Sequence, residues 1–267
     1  LVSPTGRSTI PGVASSIGKI LDRYVSYYGN ASYGYKGRYL FSGSARWDAS
    51  NLFGVKTNRK GVPLWSVGAS WEISKEGFYN ITAIPYLRLR TTMGSSGNMN
   101  NRMATMPTFS YRSDFITGKR VADLNSVGNP SLRWEQVDTY NIGLDLASKR
   151  NIISGSFEYY VKRASDLIGE YFLDPTTGVV SGGLGNVYKI NYADMGNHGV
   201  DIQLTSTNTF GHLRWNASLL FNYNVNEITN YRTPEFTGVS TYLGYTAPPQ
   251  VGRSKDVMYA LPWHGLN

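Results

Sequence analysis

The sequence contains no cysteine, which excludes disulfide bonds, thiolate metal sites and a thiol nucleophile. It contains only three histidines, His198, His212 and His264, and their spacing is not that of metal ligands. Charged residues make up 16% of the chain, against about 25% in a typical soluble domain. The composition favours a surface that is only partly in contact with water, and it indicates no metal and no other cofactor.

Long apolar runs are also missing. No run approaches the roughly 18 residues of a transmembrane helix candidate. The first ten residues, LVSPTGRSTI, lack the charged segment and the following apolar segment of a signal peptide, so we expect a mature or truncated chain.

Sequence motifs of catalysis are absent as well. The chain has no G-x-S-x-G, Walker A or H-E-x-x-H pattern. GSSGN at 94–98 is followed by no helix-like segment and indicates a turn. ADLNSVGN at 122–129 lacks the terminal Glu of a calcium loop. The sequence therefore predicts no catalytic residues and no enzyme.

The net charge of +8 does not indicate a nucleic-acid partner, although basic residues outnumber acidic ones. The basic residues are scattered or stand in pairs, such as Lys149 and Arg150, and no run of five or more occurs. Basic side chains that flank apolar strands can extend toward lipid headgroups. The charge distribution is therefore better suited to a membrane than to DNA or RNA.

The chain is rich in tyrosine and glycine, with 20 and 29 residues, and its apolar residues alternate with small or polar ones. In PLWSVGASWEIS at 63–74, one face of an extended chain would carry Trp65, Val67, Ala69, Trp71 and Ile73. The same alternation predicts eight antiparallel strands, at 24–35, 38–48, 63–74, 86–93, 138–147, 152–162, 198–205 and 212–225.

The predicted connections alternate in length. Strands of ten or more residues, with every long loop at one end, are typical of outer-membrane barrels. We therefore predict an all-β fold, an antiparallel transmembrane β-barrel with aromatic belts that include Trp65, Trp71, Tyr27 and Tyr35. The alternative is a secreted soluble β-sandwich for binding or adhesion. The short turns are 35–37, 148–151 and 208–211, the intermediate turn is 75–85, and the long segments are 49–62, 94–136, 163–197 and 226–267.

Two sets of side chains could contact a ligand, but the sequence assigns no ligand-binding residue. Charged side chains predicted to face the barrel interior would solvate its wall or contact a plug: Arg46, Arg88, Arg90, Arg214, Glu72, Asp145, Glu158 and Asp201. Loop aromatics could stack on sugar rings or peptide side chains, or pack the loops together: Trp134, Tyr171, Phe172, Tyr242 and Trp263.

Several motifs resemble, in the same order, those of the SusC/RagA branch of TonB-dependent outer-membrane transporters. RWDASNLFG at 46–54 resembles R-x-D-G-S-S-R-F-G, with Ala49 in place of the Gly. VPLWSVGASWEISKE at 62–76 resembles F-P-S-V-S-A-G-W-R-I-S-E-E. The other matching segments are LRLRTTMGSSGN at 87–98, NPSLRWEQ at 129–136, NIGLD at 141–145, YYVKRASDLI at 159–168 and NYADMGNHGVD at 191–201.

This resemblance implies that the eight strands are part of a barrel of about 22 strands. Residues 1–23 would be a loop or the end of a preceding strand, and residues 24–267 would be barrel wall. The plug domain, the TonB-binding segment and the remaining strands would lie outside this chain. The resemblance also implies a location in the outer membrane of a Bacteroidota-type bacterium.

The expected partners also follow from the resemblance. A SusD-like surface lipoprotein would cap the barrel, TonB would drive transport through segments absent here, and the cargo would be an oligosaccharide or a peptide. Outer-membrane lipid would surround the wall. A third hypothesis, an outer-membrane enzyme, would need a catalytic cluster that the sequence does not contain.

Overall fold

The computed structural model describes residues 2–3, 6–7, 23–50, 61–98, 106–171, 188–210, 213–232, 242–243, 248–263 and 265. Two short 3-10 turns, Ile73–Lys75 and Lys149–Asn151, interrupt an otherwise extended chain. The strands are β1 (Val2–Ser3), β2 (Gly6–Arg7), β3 (Tyr24–Tyr35), β4 (Tyr39–Ser50), β5 (Gly61–Glu72), β6 (Tyr86–Asn98), β7 (Thr108–Ser113), β8 (Arg120–Ser126), β9 (Glu135–Ala147), β10 (Ile153–Tyr171), β11 (Tyr188–Phe210) and β12 (Leu213–Tyr231).

Eight of these strands form one antiparallel sheet in the order β12-β11-β10-β9-β6-β5-β4-β3. They correspond one to one to the eight predicted strands, and each pairs with its neighbour among them along the chain. Strands β3 and β12 are the two edges, so the described residues form an open sheet rather than a closed barrel. The prediction that this chain supplies eight antiparallel strands of an incomplete barrel is confirmed by this sheet.

Some strands are longer than the sequence pattern predicted. β10 continues to Tyr171 and β11 begins at Tyr188, within the segment 163–197 that was predicted to be loop. The reason is a bulge between Ala164 and Leu167, which shifts the register and breaks the alternation on which the prediction depended. The predicted loop 94–136 likewise contains a two-stranded hairpin, β7–β8.

The connections have the predicted one-sided arrangement. Residues 36–38, 73–85, 148–152 and 211–212 join strands at one end of the sheet, called here the short-turn end. The other end, the long-loop end, carries the longer connections, namely 51–60, 99–134 and 172–187, and the chain after β12.

The register places apolar residues side by side across all eight strands. We call this side the apolar face, and the opposite side the polar face. Several apolar or aromatic side chains lie on the polar face instead, among them Leu40 opposite Ser70, Leu64 opposite Arg46 and Leu220 opposite Gln203. One continuous row on the apolar face consists of Tyr35, Tyr39, Trp71, Leu89, Leu144, Phe157, Ile202 and Phe221.

The apolar face is not the interior of a sandwich. Val67 is 50% exposed and Phe221 is 51% exposed, and no second sheet packs across this face within the part of the chain that the structure describes. The buried hydrophobic side chains instead cluster at the long-loop end, and they are Leu132, Trp134, Ala193 and Ile228. Among the described residues, no helix has the length and apolar character needed to span a bilayer.

Candidate functional site

The polar face carries a network of charged side chains that spans three neighbouring strands. Arg88 on β6 donates two hydrogen bonds to Asp145 on β9, at 3.1 and 2.8 Å. Arg90 donates to the second oxygen of Asp145 at 3.2 Å and also to Glu158 on β10. Asn141 donates to the other Glu158 oxygen at 3.0 Å. Two cations and two anions therefore neutralise one another on the wall.

A glycine makes this network sterically feasible. Gly143 stands directly opposite Arg90 on one side and Glu158 on the other. A Cβ at residue 143 would lie 3.0 Å from the Arg90 Cζ atom, closer than nearly all real contacts of this kind. The guanidinium therefore lies over the backbone of β9, and the absence of a side chain at Gly143 allows it to reach β10.

The other predicted interior charges have separate partners. Asp201 on β11 stands opposite Glu158 and accepts a hydrogen bond from Asn222 on β12. Arg46 donates to Asp48 at 2.6 Å, and Glu72 pairs with Lys75 at 2.9 Å near the turn. The side chain of Arg214 lies outside the described residues. The predicted set is thus divided into one extended network and several local pairs.

The polar face also has an exposed aromatic that the sequence interpretation overlooked. Tyr28 on β3 stands opposite Arg46 on β4, and 80% of its surface is exposed. The next row of the polar face has small side chains on β4 and β5, namely Ser44 and Ser66, whose hydroxyls lie 2.7 Å apart. Tyr28 therefore projects above a flat wall. Counting residues in steps of two from Ser26 would have placed it on this face.

At the long-loop end, three of the family-like motifs meet in one hydrogen-bonded group, called here the loop anchor. Asp166 lies in the β10 bulge with φ of 57°, and its carboxylate accepts hydrogen bonds from Arg133 and, at 3.3 Å, from Arg232. Asp194 on β11 accepts from Arg232 at 2.7 Å and from the Asp166 backbone N–H at 2.9 Å.

Asn191 connects the loop before β9 to both strands of the anchor. Its side-chain amide donates to the backbone carbonyls of Arg133, at 2.9 Å, and Asp166, at 2.6 Å, and its Oδ1 accepts from the Arg133 N–H at 2.9 Å. The polar residues of NPSLRWEQ, YYVKRASDLI and NYADMGNHGVD therefore hold one loop against β10 and β11. They position backbone and show no arrangement suited to catalysis.

The loop aromatics do not form one ligand platform. Trp134 is only 8% exposed and is one of the buried hydrophobic residues, a burial that agrees with the alternative in which it packs the loop. Tyr171 packs edge-on against Tyr188 at 6.5 Å, and Tyr242 against Tyr259 at 5.3 Å. Of the other two loop aromatics, Trp263 is exposed, and Phe172 lies outside the described residues.

The hairpin β7–β8 presents apolar side chains at the long-loop end. Phe115 is 92% exposed and Ile116 is 79% exposed at its tip. The tip is ordered by Asp114, whose carboxylate accepts from the Ile116 and Thr117 backbone N–H groups and from the Thr117 hydroxyl at 3.2, 2.7 and 2.8 Å. These hydrogen bonds lower the pKa of Asp114, those from Thr117 most. The exposed aromatic tip thus has a defined turn conformation.

At the short-turn end, one carboxylate organises the predicted aromatic belt. Glu76 accepts hydrogen bonds from the Tyr39 hydroxyl at 2.6 Å, from the Trp71 indole at 3.0 Å and from Arg38 at 2.9 Å. The Tyr39 hydrogen bond is the largest reason that the pKa of Glu76 is lowered. No group of three or more His, Asp or Glu residues is placed to hold a metal ion anywhere in the described ranges.

Comparison with known proteins agrees with this architecture. Residues 4–265 match the family described as TonB dependent receptor-like, beta-barrel. TonB-dependent receptor P26 of Formosa agariphila is 27% identical over 223 residues, which cover 79% of this chain and 21% of that protein. TonB-dependent receptor SusC of Bacteroides thetaiotaomicron is 27% identical over 217 residues, which cover 77% of this chain and 21% of that protein.

A solved structure shares the fold. The RagAB peptide importer in its closed-closed state superposes with a TM-score of 0.72 at 24% identity, over 82% of this chain and 24% of the other. The chain therefore spans about a fifth of the length of the curated relatives that it matches.

Proposed function

The chain belongs to the TonB-dependent receptor-like β-barrel family, and on that premise we propose that it is part of the wall of a SusC-like importer in the outer membrane. The cargo is an oligosaccharide or a peptide. A SusD-like surface lipoprotein is the partner at the long-loop end, and TonB acts through segments outside this chain. We assign the chain a transport role and no catalytic role.

The observation that carries this proposal is the difference between the two faces of the sheet. A row of apolar side chains crosses all eight strands, none of its members is buried, and Tyr35, Phe157 and Phe221 are exposed. Lipid is the environment that suits such a surface. The polar face bears the Arg88–Asp145–Arg90–Glu158 network, and water in a lumen is the solvent suited to that surface. A wall with these two sides separates lipid from an aqueous path.

The charge network suits a wall past which cargo moves. Because each arginine of the network is paired with a carboxylate on a neighbouring strand, the network itself offers no isolated charge that would hold a polar cargo tightly. The paired side chains are also fixed to three adjacent strands, so they do not need to move when a plug is pulled away. The wall therefore stays constant while the path through the lumen opens.

The hairpin β7–β8 supports contact with a lid protein. Aromatic side chains are enriched at the centres of protein interfaces. Phe115, with Ile116 beside it, occupies an exposed, ordered hairpin tip within the connection at the end where a lid would sit. A two-stranded hairpin is marginally stable alone in water, so a covering partner would stabilise it.

Two cargo classes are compatible with the wall. Peptide is the cargo named for the RagAB importer, and glycan is the second class that the motif resemblance implies. Exposed Tyr28, with Arg46 opposite, could stack on a sugar ring or bind a peptide side chain or carboxylate. Uptake assays with both cargo classes would distinguish them.

The experiment uses the full-length gene in its native bacterium. We expect its deletion to abolish growth on one glycan or peptide source, and an affinity tag on the protein to copurify a surface lipoprotein from detergent extracts. The double variant Phe115→Asp/Ile116→Asp should keep the barrel in the membrane but lose that lipoprotein. A matched control, Thr108→Asp at the far end of β7, adds charge to the exposed hairpin without removing an apolar group or changing the Asp114 turn.

Other outcomes would contradict the proposal. Unchanged growth on all glycan and peptide sources would overturn import. Recovery of the protein as a detergent-free soluble species would favour the secreted binding module. If the hairpin variant copurifies the lipoprotein as well as the wild type does, the hairpin is not the contact.

A further inference from the structure

A groove of about 370 Å³ lies on the apolar face of β4, β5 and β6. The small side chains of Ala69 and Thr91 are paired across β5 and β6, and Phe41 on β4 and Met93 on β6 are among the larger side chains around them. The side chains on this face are almost entirely hydrocarbon, so the groove suits an acyl chain and offers little to a polar ligand.

The groove leads along β5 toward the aromatic belt at the short-turn end. Trp71 follows Ala69 on the same face, and its ring stacks on Tyr39 at 6.3 Å with an interplanar angle of 12°. Phe78 packs edge-on against Trp71 at 6.2 Å and is itself 67% exposed. An acyl chain lying in the groove would therefore pass these rings before it reached the polar end of a lipid.

The short-turn end is one connected surface rather than a series of separate turns. The Glu72 N–H donates to the Arg38 carbonyl at 2.8 Å, and the Lys75 ammonium donates to the Gly37 carbonyl at 2.9 Å. The Lys149 N–H donates to the Ala83 carbonyl at 3.0 Å. We call this surface, residues 36–38, 72–85 and 148–152, the basic rim.

The basic rim carries more positive than negative charge. Its two carboxylates already have cationic partners, since Glu72 pairs with Lys75 and Glu76 with Arg38, both at 2.9 Å. Lys36, Lys149 and Arg150 form no salt bridge with any carboxylate in the described part of the chain. The rim therefore has a net positive charge beside an apolar groove, which is complementary to an anionic lipid.

Two of these cations stand at backbone positions that ordinary side chains rarely adopt. Lys36 has φ of 51° and Arg150 has φ of 62°. Glycine or asparagine takes such a conformation at lower cost. Long cationic side chains at these two positions indicate that the charge is useful where the turn places it.

We propose that the groove and the basic rim together bind an anionic phospholipid of the periplasm-facing leaflet. One acyl chain lies between Phe41 and Met93, and the positive field of the rim, to which Lys36, Lys149 and Arg150 contribute, favours an anionic headgroup over a neutral one. This inference rests on the proposed outer-membrane function for the orientation of the barrel, with short turns toward the periplasm. It adds a lipid class and the residues that select it.

The test measures lipid retained by the purified full-length protein in detergent. The protein is incubated with phosphatidylglycerol or phosphatidylcholine, and bound lipid is counted by native mass spectrometry. We expect wild type to retain phosphatidylglycerol at least several-fold better than phosphatidylcholine, and added salt to reduce the difference. Inorganic phosphate at the same concentration should not compete, since it has no acyl chain.

Two variants separate the halves of the site. Lys36→Gln/Lys149→Gln/Arg150→Gln should abolish the preference for phosphatidylglycerol, and Ala69→Phe, which fills the groove, should lower retention of both lipids. The control Lys119→Gln/Arg120→Gln/Arg253→Gln removes equal charge elsewhere and should behave as wild type. Heat-modified gel migration confirms that each variant is folded.

The proposal is overturned if the rim variant keeps the preference, if the control loses it equally, or if inorganic phosphate displaces the lipid. Because no cargo is present in the assay, a negative result leaves import untouched. Conversely, if the growth experiment showed that the protein does not import, the lipid measurement on the purified protein would still stand by itself.

Discussion

Arg90 on β6 and Glu158 on β10 are joined by a hydrogen bond that passes over an entire intervening strand. The strand between them, β9, places Gly143 at the crossing point. The contact therefore joins three strands on the polar face, in addition to the backbone ladder. The contact requires both charges, and it requires that residue 143 is a glycine, with no side chain in the way.

The crossing predicts that Gly143 cannot be enlarged without cost. In Gly143→Ala the new Cβ would lie 3.0 Å from Arg90 Cζ, so the guanidinium must move and its contact with Glu158 weakens. We expect a loss of about 0.5–1 kcal/mol, the size of one partly exposed charge pair. The measurement is urea unfolding of the full-length protein in detergent.

Gly43→Ala is the matched control, because a Cβ at Gly43 in β4 would meet nothing within 4 Å. Removing a strand glycine there should be neutral or slightly stabilising. If both substitutions destabilise the protein equally, the contact between Arg90 and the backbone at Gly143 does not explain the loss.

The charge pair itself should show energetic coupling. In a double-mutant cycle of Arg90→Gln and Glu158→Gln, we expect an interaction of about 1 kcal/mol, since both side chains are partly buried and hydrogen-bonded to third residues. The exposed pair Arg112 and Asp123 on the hairpin serves as the comparison and should couple more weakly, because solvent screens both charges. Equal coupling in the two cycles would count against a structural role for the wall network.

The loop anchor predicts a difference between two substitutions at Asp166. Asparagine tolerates the left-handed backbone at this position better than alanine does, yet both substitutions remove the charge that Arg133 and Arg232 contact. Hydrogen exchange of 129–134 and 188–194 should therefore rise in both variants, and more in Asp166→Ala. Asp123→Ala on the hairpin should leave exchange in these segments unchanged. An unaltered exchange pattern in Asp166→Ala would refute the anchor.

The aromatic belt predicts a defined pH dependence. Hydrogen bonds from Tyr39 and Trp71 hold the pKa of Glu76 below its ordinary value of 4.5. A lowered folded-state pKa means that this stabilisation is complete above pH 4.5 and is lost as the pH falls through the lowered value. The melting-temperature difference between wild type and Glu76→Gln should thus be constant from pH 7 to about pH 5, then shrink in more acidic solution.

Tyr39→Phe provides the control for this effect, because it removes the largest cause of the shift. In the Tyr39→Phe background, the difference made by Glu76→Gln should be smaller and should disappear at a higher pH. A difference that grows on acidification would contradict the assigned role of Glu76.

The strands could be predicted from the sequence because the alternation that defines them also defines their two environments. Val67 and Ala69 face one way and Ser66 and Gly68 the other, and a shift of one residue would exchange the two sets. Arg88, Arg90, Asp145 and Glu158 were therefore placed on the correct face, although not paired. Pairing depends on register between distant strands, and alternation within one strand does not contain that information.

The long-loop end was harder to predict for local reasons. The bulge at Asp166 interrupts the period of two, and the second half of β10 and the first half of β11, which pair beyond it, were not predicted as strand. For Trp134 the sequence left ligand stacking and loop packing open, because a tryptophan in a predicted loop carries no local signal of its burial. Its position beside Leu132 in the buried cluster is a tertiary property.

The most direct test of the account uses the absence of cysteine from this chain. Single cysteines introduced at each position from 65 to 71 of the full-length protein, in membranes, would carry spin labels. Their collision rates with oxygen, which dissolves in lipid, and with a water-soluble nickel complex would be compared. We predict alternation, with Trp65, Val67, Ala69 and Trp71 positions favouring oxygen and Ser66, Gly68 and Ser70 positions favouring nickel. Odd positions shielded from both reagents would mean a dry protein interior and would contradict the transmembrane wall.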